Sequence, residues 1–166
     1  ATKYQPNGVW QWYSLAETLV EIGRHHDAIQ PAQRAVQVDP THVQSWGKLG
    51  QVMRYVKRHD EALAAYEQAI DLQPDFDWAI NGKGLVLEQL GDYEAALEAY
   101  QEAAHIRPER AWYWYNQGNA LSLMGRNEDA LTALQQSVTV KNDYVRSWAL
   151  MCSVLRDLNR HAEALE

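Results

Sequence analysis

A single cysteine, Cys152, stands in 166 residues. One thiol cannot staple a chain to itself, so disulfides are excluded as the source of stability and packing must supply it. The compartment stays open, with a cytoplasmic setting fitting this cysteine usage better than a secreted one. No apolar run approaches the roughly 18 residues that a bilayer-crossing helix needs. No basic-then-apolar segment opens the chain in the manner of a secretory signal. A membrane span and a signal peptide are therefore excluded from these residues. The chain also begins at Ala1 without an initiator Met, which predicts an excised piece of a longer protein.

Positive charge is equally scarce. Fifteen Lys and Arg face 22 Asp and Glu, giving a formal net charge of −7 and a pI near 5.3. Nucleic-acid affinity comes largely from cations that neutralise phosphates, so a nucleic-acid partner is not expected. Neither phosphate loop, HExxH pair nor GxSxG elbow occurs. Gly82-x-Gly84 resembles the start of a dinucleotide fingerprint, but Leu87 stands where the third glycine belongs and no strand precedes it.

What the chain has is a period. Pro6, Pro40, Pro74 and Pro108 recur every 34 residues without a slip. Ala28, Ala62, Ala96, Ala130 and Ala164 keep the same step, as do Ala1, Ala35, Ala69 and Ala103, with Ser137 completing that series. With each proline counted as repeat position 32, full units run 9–42, 43–76, 77–110 and 111–144, flanked by partial units 1–8 and 145–166.

Within each unit, apolar or small residues fall at positions 4, 7, 8 and 11, the spacing of one helical face. Trp12, Leu15, Ala16 and Leu19 form one such face; Trp46, Leu49, Gly50 and Met53 another; Trp148, Met151, Cys152 and Leu155 the last. This is helix A. Position 15 closes it with Gly23, Gly91, Gly125 or Asn159, residues that accept a left-handed backbone; Lys57 is the exception. Helix B follows, as in Ala62, Leu63, Tyr66, Ala69 and Ile70, and the proline, which lacks an N–H, is expected to end it. Small residues at positions 8 and 20 let the paired backbones approach. Tryptophan at position 4 fills the space beside them, so that truncating a buried Trp46 or Trp148 to Ala should cost about 3–5 kcal/mol.

These residues resemble the tetratricopeptide repeat family, whose pattern sets tryptophan at position 4, leucine at 7, glycine at 8, alanine at 20 and 27, an aromatic at 24 and proline at 32. Trp114, Gly118, Leu121 and Ala130 keep that phase alongside Tyr66, Tyr100 and the prolines. Departures are Ile80 at position 4, Asn142 in place of a proline, no tyrosine at position 11, and Lys83 and Gln117 at position 7. The lysine stem can cover apolar surface while its ammonium reaches water. The resemblance implies an all-α fold, a right-handed superhelical α-solenoid of stacked antiparallel helix pairs. It also implies a concave surface, lined by helices A, that takes a protein or peptide ligand.

The remaining constellations follow the period. His25, His59 and His161 share position 17, too far apart to hold one ion, and neither a metal nor another cofactor is expected. Acidic residues gather where helix B begins, where they offset the macrodipole, and basic ones gather at the end of helix A. Cys152 shares position 8 with glycines and is expected to be a buried packing thiol.

Positions 2, 5, 9 and 12 of helix A face the implied groove. They give Trp10, Tyr13 and Glu17; Gln44, Gly47, Gln51 and Arg54; Trp78, Asn81 and Glu88; Trp112, Tyr115 and Asn119; and Arg146, with Asn116 adding a further amide. Aromatics are enriched in binding hot spots. Two readings of the position-2 tryptophans stay open: contact with a ligand, or packing against the preceding helix B. The lysine and asparagine set with which one subclass grips a C-terminal carboxylate is absent from every run of three units. Asn81, Asn116 and Asn119 instead resemble the amides with which other members hold an extended backbone.

The expected function is a non-catalytic scaffold for a partner peptide or helix. The alternatives are a substrate-recruiting arm of a larger glycosyltransferase, kinase or protease, and self-association through the open ends of the array. Terminal units of such arrays need a polar cap, so residues 160–166 are expected to fray.

Overall fold

The computed structural model describes residues 8–160, which form nine α-helices and no strand. They are α1 (Val9–Glu21), α2 (His25–Val38), α3 (Val43–Tyr55), α4 (His59–Leu72), α5 (Asp77–Leu90), α6 (Tyr93–Ile106), α7 (Ala111–Leu123), α8 (Asn127–Val140) and α9 (Val145–Asp157). Helix starts at Val9, Val43, Asp77, Ala111 and Val145 recur every 34 residues, as do those at His25, His59, Tyr93 and Asn127. The chain divides into two compact units between Val86 and Leu87, inside α5. In the first, α1 packs on α2, α2 on α3 and α3 on α4, while α1 also touches α3. In the second, α6 packs on α7, α7 on α8 and α8 on α9, with α7 also meeting α9.

Close approach at the small residues organises each unit. A Cβ on Gly50 would sit 2.8 Å from the Tyr66 ring, and one on Gly118 would sit 2.6 Å from Leu134 Cγ. Helix A therefore lies directly against the position-24 side chain of helix B. Ala28, Ala62, Ala96 and Ala130 are fully buried. Ser137 keeps its place in the alanine series because its hydroxyl is satisfied, donating 2.7 Å to the Ala111 carbonyl and bonding the Ser147 hydroxyl. Position 7 tolerates polar side chains for similar reasons: Gln117 Nε2 donates to the Tyr100 carbonyl at 3.4 Å, and Lys83 reaches Glu67 at 3.0 Å.

The turn after helix A is one motif repeated. Gly23 N–H donates to Val20 O and Arg24 N–H to Leu19 O, the paired bonds that close a helix through a left-handed residue. The same pair recurs at Lys57/Arg58, Gly91/Asp92, Gly125/Arg126 and Asn159/Arg160. Lys57 is thus no exception in geometry: its φ is 61°, against 76° for Gly23 and 58° for Asn159. The charges gathered at this turn pair with one another across the helix start, Arg24 with Asp27 at 2.6 Å, Arg58 with Glu61 at 2.5 Å and Arg126 with Asp129 at 2.6 Å. Each pair is exposed and stabilises by only a few tenths of a kcal/mol.

Proline proves unnecessary for ending helix B. α8 stops at Val140, two residues before Asn142, just as α2 stops at Val38, two before Pro40, and α2 itself runs through a buried Pro31. A tryptophan ties the segment beyond instead. Trp46 Nε1 donates to the Pro40 carbonyl at 2.8 Å, Trp114 to Pro108 at 2.8 Å and Trp148 to Asn142 at 2.7 Å. Any residue offers that carbonyl, which is why asparagine replaces proline without changing the turn.

Two expectations fail at α9. Cys152 is exposed rather than buried, and Trp148 is 41% exposed. Gly50, at the same repeat position as Cys152, is covered by Tyr66 of the helix that follows; the segment following α9 lies outside the described residues. Truncating Trp148 therefore removes less buried area than the 3–5 kcal/mol expectation assumed. The expected fraying at 160–166 falls outside the described residues except for Arg160, which is half-buried and donates to Glu128 at 2.9 Å.

Lys57→Gly should raise unfolding free energy by roughly 1 kcal/mol, because only glycine adopts a left-handed φ without a Cβ penalty; urea denaturation reads the change. Gly50→Ala should lower it by about 1–3 kcal/mol, since the Tyr66 ring must move.

Candidate functional site

In the first unit the helix-A surface converges on a residue the sequence reading left out. Lys48, at repeat position 6, is only 6% exposed. Its ammonium lies 5.4 Å from the Tyr13 ring centroid and 5.3 Å from that of Trp78, and it bonds Glu17 Oε1 at 3.2 Å. Tyr13 donates to the same oxygen at 3.3 Å. Three of the expected groove residues therefore cage a fourth group. Burial first, then the charge and hydrogen bond of Glu17, push the Tyr13 phenol up to about 12.

Trp10 is 60% exposed, with His42 edge-on at 4.6 Å and Tyr13 at 5.9 Å. His42 bonds Ser45 through Nδ1 at 2.7 Å, and burial lowers its pKa against an opposing pull from Asp39. Trp78 is half-buried, packed by Phe76 and lying over Gly47, where a Cβ would meet its ring at 2.6 Å. Gly47 and Asn81 are buried, while Gln44 is exposed. Gln51 is half-buried. Arg54 lies 4.5 Å from the Tyr55 ring, and its charge acts on the Tyr66 phenol. Tyr66 is 2% exposed, and that burial raises its pKa to about 12 although Arg54 opposes the shift.

In the second unit Glu88 accepts from the Tyr100 hydroxyl at 3.1 Å. Position 12 is thus held in the second unit by the tyrosine at position 24. Trp112 is 37% exposed under the guanidinium of Arg110, 4.8 Å from its ring. Tyr115 meets Tyr144 edge-on at 5.7 Å and 81°. Asn116 and Asn119 are half-buried, and Arg146 is exposed. Burial raises the Tyr115 pKa, with Tyr144 and Glu88 adding to the shift and Arg146 opposing it.

A rule emerges that the sequence reading missed. The residue at position 34, immediately before the next helix A, packs on position 5 of its own repeat. His42 lies 6.0 Å from Tyr13, Tyr144 lies 5.7 Å from Tyr115, and Phe76 stands 3.0 Å from where a Gly47 Cβ would be. The signal was present in the period, since three of the four position-34 residues carry rings. Among the described residues no group of three His, Cys, Asp or Glu is placed to hold a metal ion, and no helix is long and apolar enough to cross a membrane.

Sequence profiles described as tetratricopeptide repeat match residues 48–112 and 87–154. The chain belongs to the tetratricopeptide repeat family. A profile described as bacterial transcriptional activator domain matches residues 11–75. Among curated protein sequences, none matches the chain. Solved structures with the same fold include a crystal structure of MamA, at 19% identity and TM-score 0.78, covering 90% of this chain and 88% of that one. Pseudomonas aeruginosa PilF aligns at 20% identity and TM-score 0.86 over 94% of this chain and 71% of its own. TTC0263, a tetratricopeptide repeat protein of Thermus thermophilus, aligns at 18% and 0.81 over 95% and 87%. These likenesses establish the fold: an all-α solenoid of helix pairs. Tetratricopeptide repeat arrays are protein-interaction scaffolds, and this chain shares their architecture.

The two raised phenols give a pH test. Stability from neutral Tyr13 and Tyr66 is fully present below pH 10 and is lost as pH rises from 10 towards 12, because their folded pKa values, both about 12, exceed the ordinary 10. Glu17→Gln should bring the Tyr13 midpoint down, by removing its charge, while leaving that of Tyr66 in place; ultraviolet phenolate titration resolves the two.

Proposed function

We propose that this chain is a non-catalytic scaffold that holds a partner polypeptide on the surface formed by its A helices. The observation that supports this reading is the presentation of Trp10 and Trp112. Each exposes a large part of its indole, 60% and 37% respectively, and each is braced by neighbouring groups, His42 and Tyr13 for the first and Arg110 for the second. A braced aromatic loses little conformational entropy on contact, which is what makes tryptophan effective as an anchor. Trp78 has a different part: packed on Gly47 and over Lys48, it shapes the surface from below. Polar groups around the anchors, Gln44, Gln51 and Asn119, supply amides able both to donate to and accept from a peptide backbone.

Peptides selected by display against the intact chain should lose at least about tenfold in affinity for Trp10→Ala or Trp112→Ala, a hot-spot-sized effect. Circular dichroism should show both variants folded, since neither indole is deeply buried. Affinity unchanged in both would remove the A-helix surface as the binding face.

A further inference from the structure

Besides packing on position 5 of its own repeat, the residue at position 34 covers the position-2 indole that follows two residues later. Phe76 lies 6.0 Å from Trp78, and the Arg110 guanidinium lies 4.8 Å from the Trp112 ring. Trp10 is the third tryptophan at position 2, and Gly8 stands where Phe76 and Arg110 stand. Glycine has no side chain to lay over the ring, and Trp10 is 60% exposed against 37% for Trp112. The other two indoles each carry a cation, Trp78 the Lys48 ammonium at 5.3 Å and Trp112 the Arg110 guanidinium. Among the described residues no cation lies over Trp10. The indole face is the best aromatic seat for a positive charge. The charges around it have the complementary sign. Helix α1 carries Glu17 and Glu21 and no Lys or Arg. Lys48 compensates Glu17, whereas Glu21 enters no ion pair among the described residues. Asp39, whose charge reaches His42, is bonded by Thr41 and not by a cation. His42 itself, its pKa lowered by burial, is neutral at pH 7 and does not repel a cation from the indole beside it.

We infer that the Trp10 indole, left open by Gly8, seats an arginine side chain of the bound polypeptide. This deepens the reading of the A-helix surface as a polypeptide site, rests on it, and makes the partner a basic one, in keeping with the net charge of −7 on this chain. Arg110 on Trp112 shows the contact that the same repeat position makes when the cation belongs to the chain itself. A planar guanidinium fits an open indole better than an ammonium does, because it stacks on the ring and is more weakly hydrated. The Lys48 ammonium, by contrast, lies beside Trp78 with a carboxylate to hold it. Gly8 is not demanded by the backbone. Gly8 at φ −68°, ψ 154° and Arg110 at φ −96°, ψ 97° are both extended N-cap residues, so what distinguishes them is the side chain alone.

The test is an NMR titration of the intact chain at constant ionic strength, following the Trp10 indole N–H and the backbone amides of Trp10, Tyr13 and His42. The probes are acetyl-Gly-Arg-Gly-amide, its counterparts with neutral citrulline or lysine in place of arginine, and spermidine. The arginine probe should give saturable shifts and bind at least about threefold more tightly than the citrulline probe, the size of an exposed cation–π contact. Gly8→Arg should lay a tethered guanidinium over the ring and weaken the arginine probe by a similar factor, whereas Gly8→Gln should leave it unchanged. Trp10→Leu, which keeps apolar bulk without the ring, should erase the difference between arginine and citrulline. Equal binding of the citrulline probe, no saturation, undiminished binding in Gly8→Arg, or a preference for arginine that survives Trp10→Leu would each overturn the seat. Tighter binding of the lysine probe would overturn the guanidinium, and tighter binding of spermidine would overturn the polypeptide as its source. The outcome is separable from that of the tryptophan variants with display-selected peptides. No arginine preference while those peptides still depend on the tryptophans removes this inference alone, whereas an arginine preference at Trp10 with peptides indifferent to both tryptophans removes the wider surface.

Discussion

The contact between a residue without a side chain on helix A and a large side chain on helix B is the constraint from which the rest of this structure follows. Gly50 against Tyr66 and Gly118 against Leu134 leave no room for a Cβ. The backbones approach so closely that the alanines beside them become fully buried, and the helix pair behaves as one packed object. The outward faces of both helices are then fixed in angle. Tyr66 also meets Gly82, so one ring sets the spacing on two A helices at once. The equivalent Tyr100 carries its hydroxyl through the core to donate to Glu88. Packing and the polar surface are therefore the two ends of one side chain.

The connections show the same economy. A left-handed residue and two hydrogen bonds close each A helix, and these bonds impose their geometry even on Lys57, whose side chain disfavours it. Beyond each B helix, an indole N–H holds a backbone carbonyl, so the chain is tied by a group every residue possesses. Proline accompanies this arrangement without being its cause. Where the tie and the cover of a following helix part company, at α9, Trp148 keeps its bond to Asn142 while remaining exposed.

On the A-helix surface, the aromatic residues divide into two kinds. Tyr13 and Trp78 are engaged with Lys48, whose charge is compensated by Glu17 and whose stem fills space that a neutral side chain would leave open. A buried ammonium is tolerable only with such partners. Trp10 and Trp112 are presented outward. Sequence spacing assigns all four to the same side of their helices. It cannot separate them, because the distinction depends on what the adjacent helix and the loop before it bring within reach: Lys48 from α3, and position 34 from each turn.

By itself, the sequence determined the helix pairs, their 34-residue period, the close-packed positions and the side of helix A that faces away from helix B. These follow from local geometry: 3.6 residues per turn fixes which side chains share a face, and small residues recurring in phase mark where two faces must touch. Only the tertiary structure decided which of those outward groups are already spoken for. Lys48 is caged, Asn81 is buried, and Tyr115 meets Tyr144 edge-on. The reason is reach. An ion pair or a ring contact joins residues from different helices across a few ångströms, and that distance is set by the packing of the pair and not by the spacing of either partner along the chain.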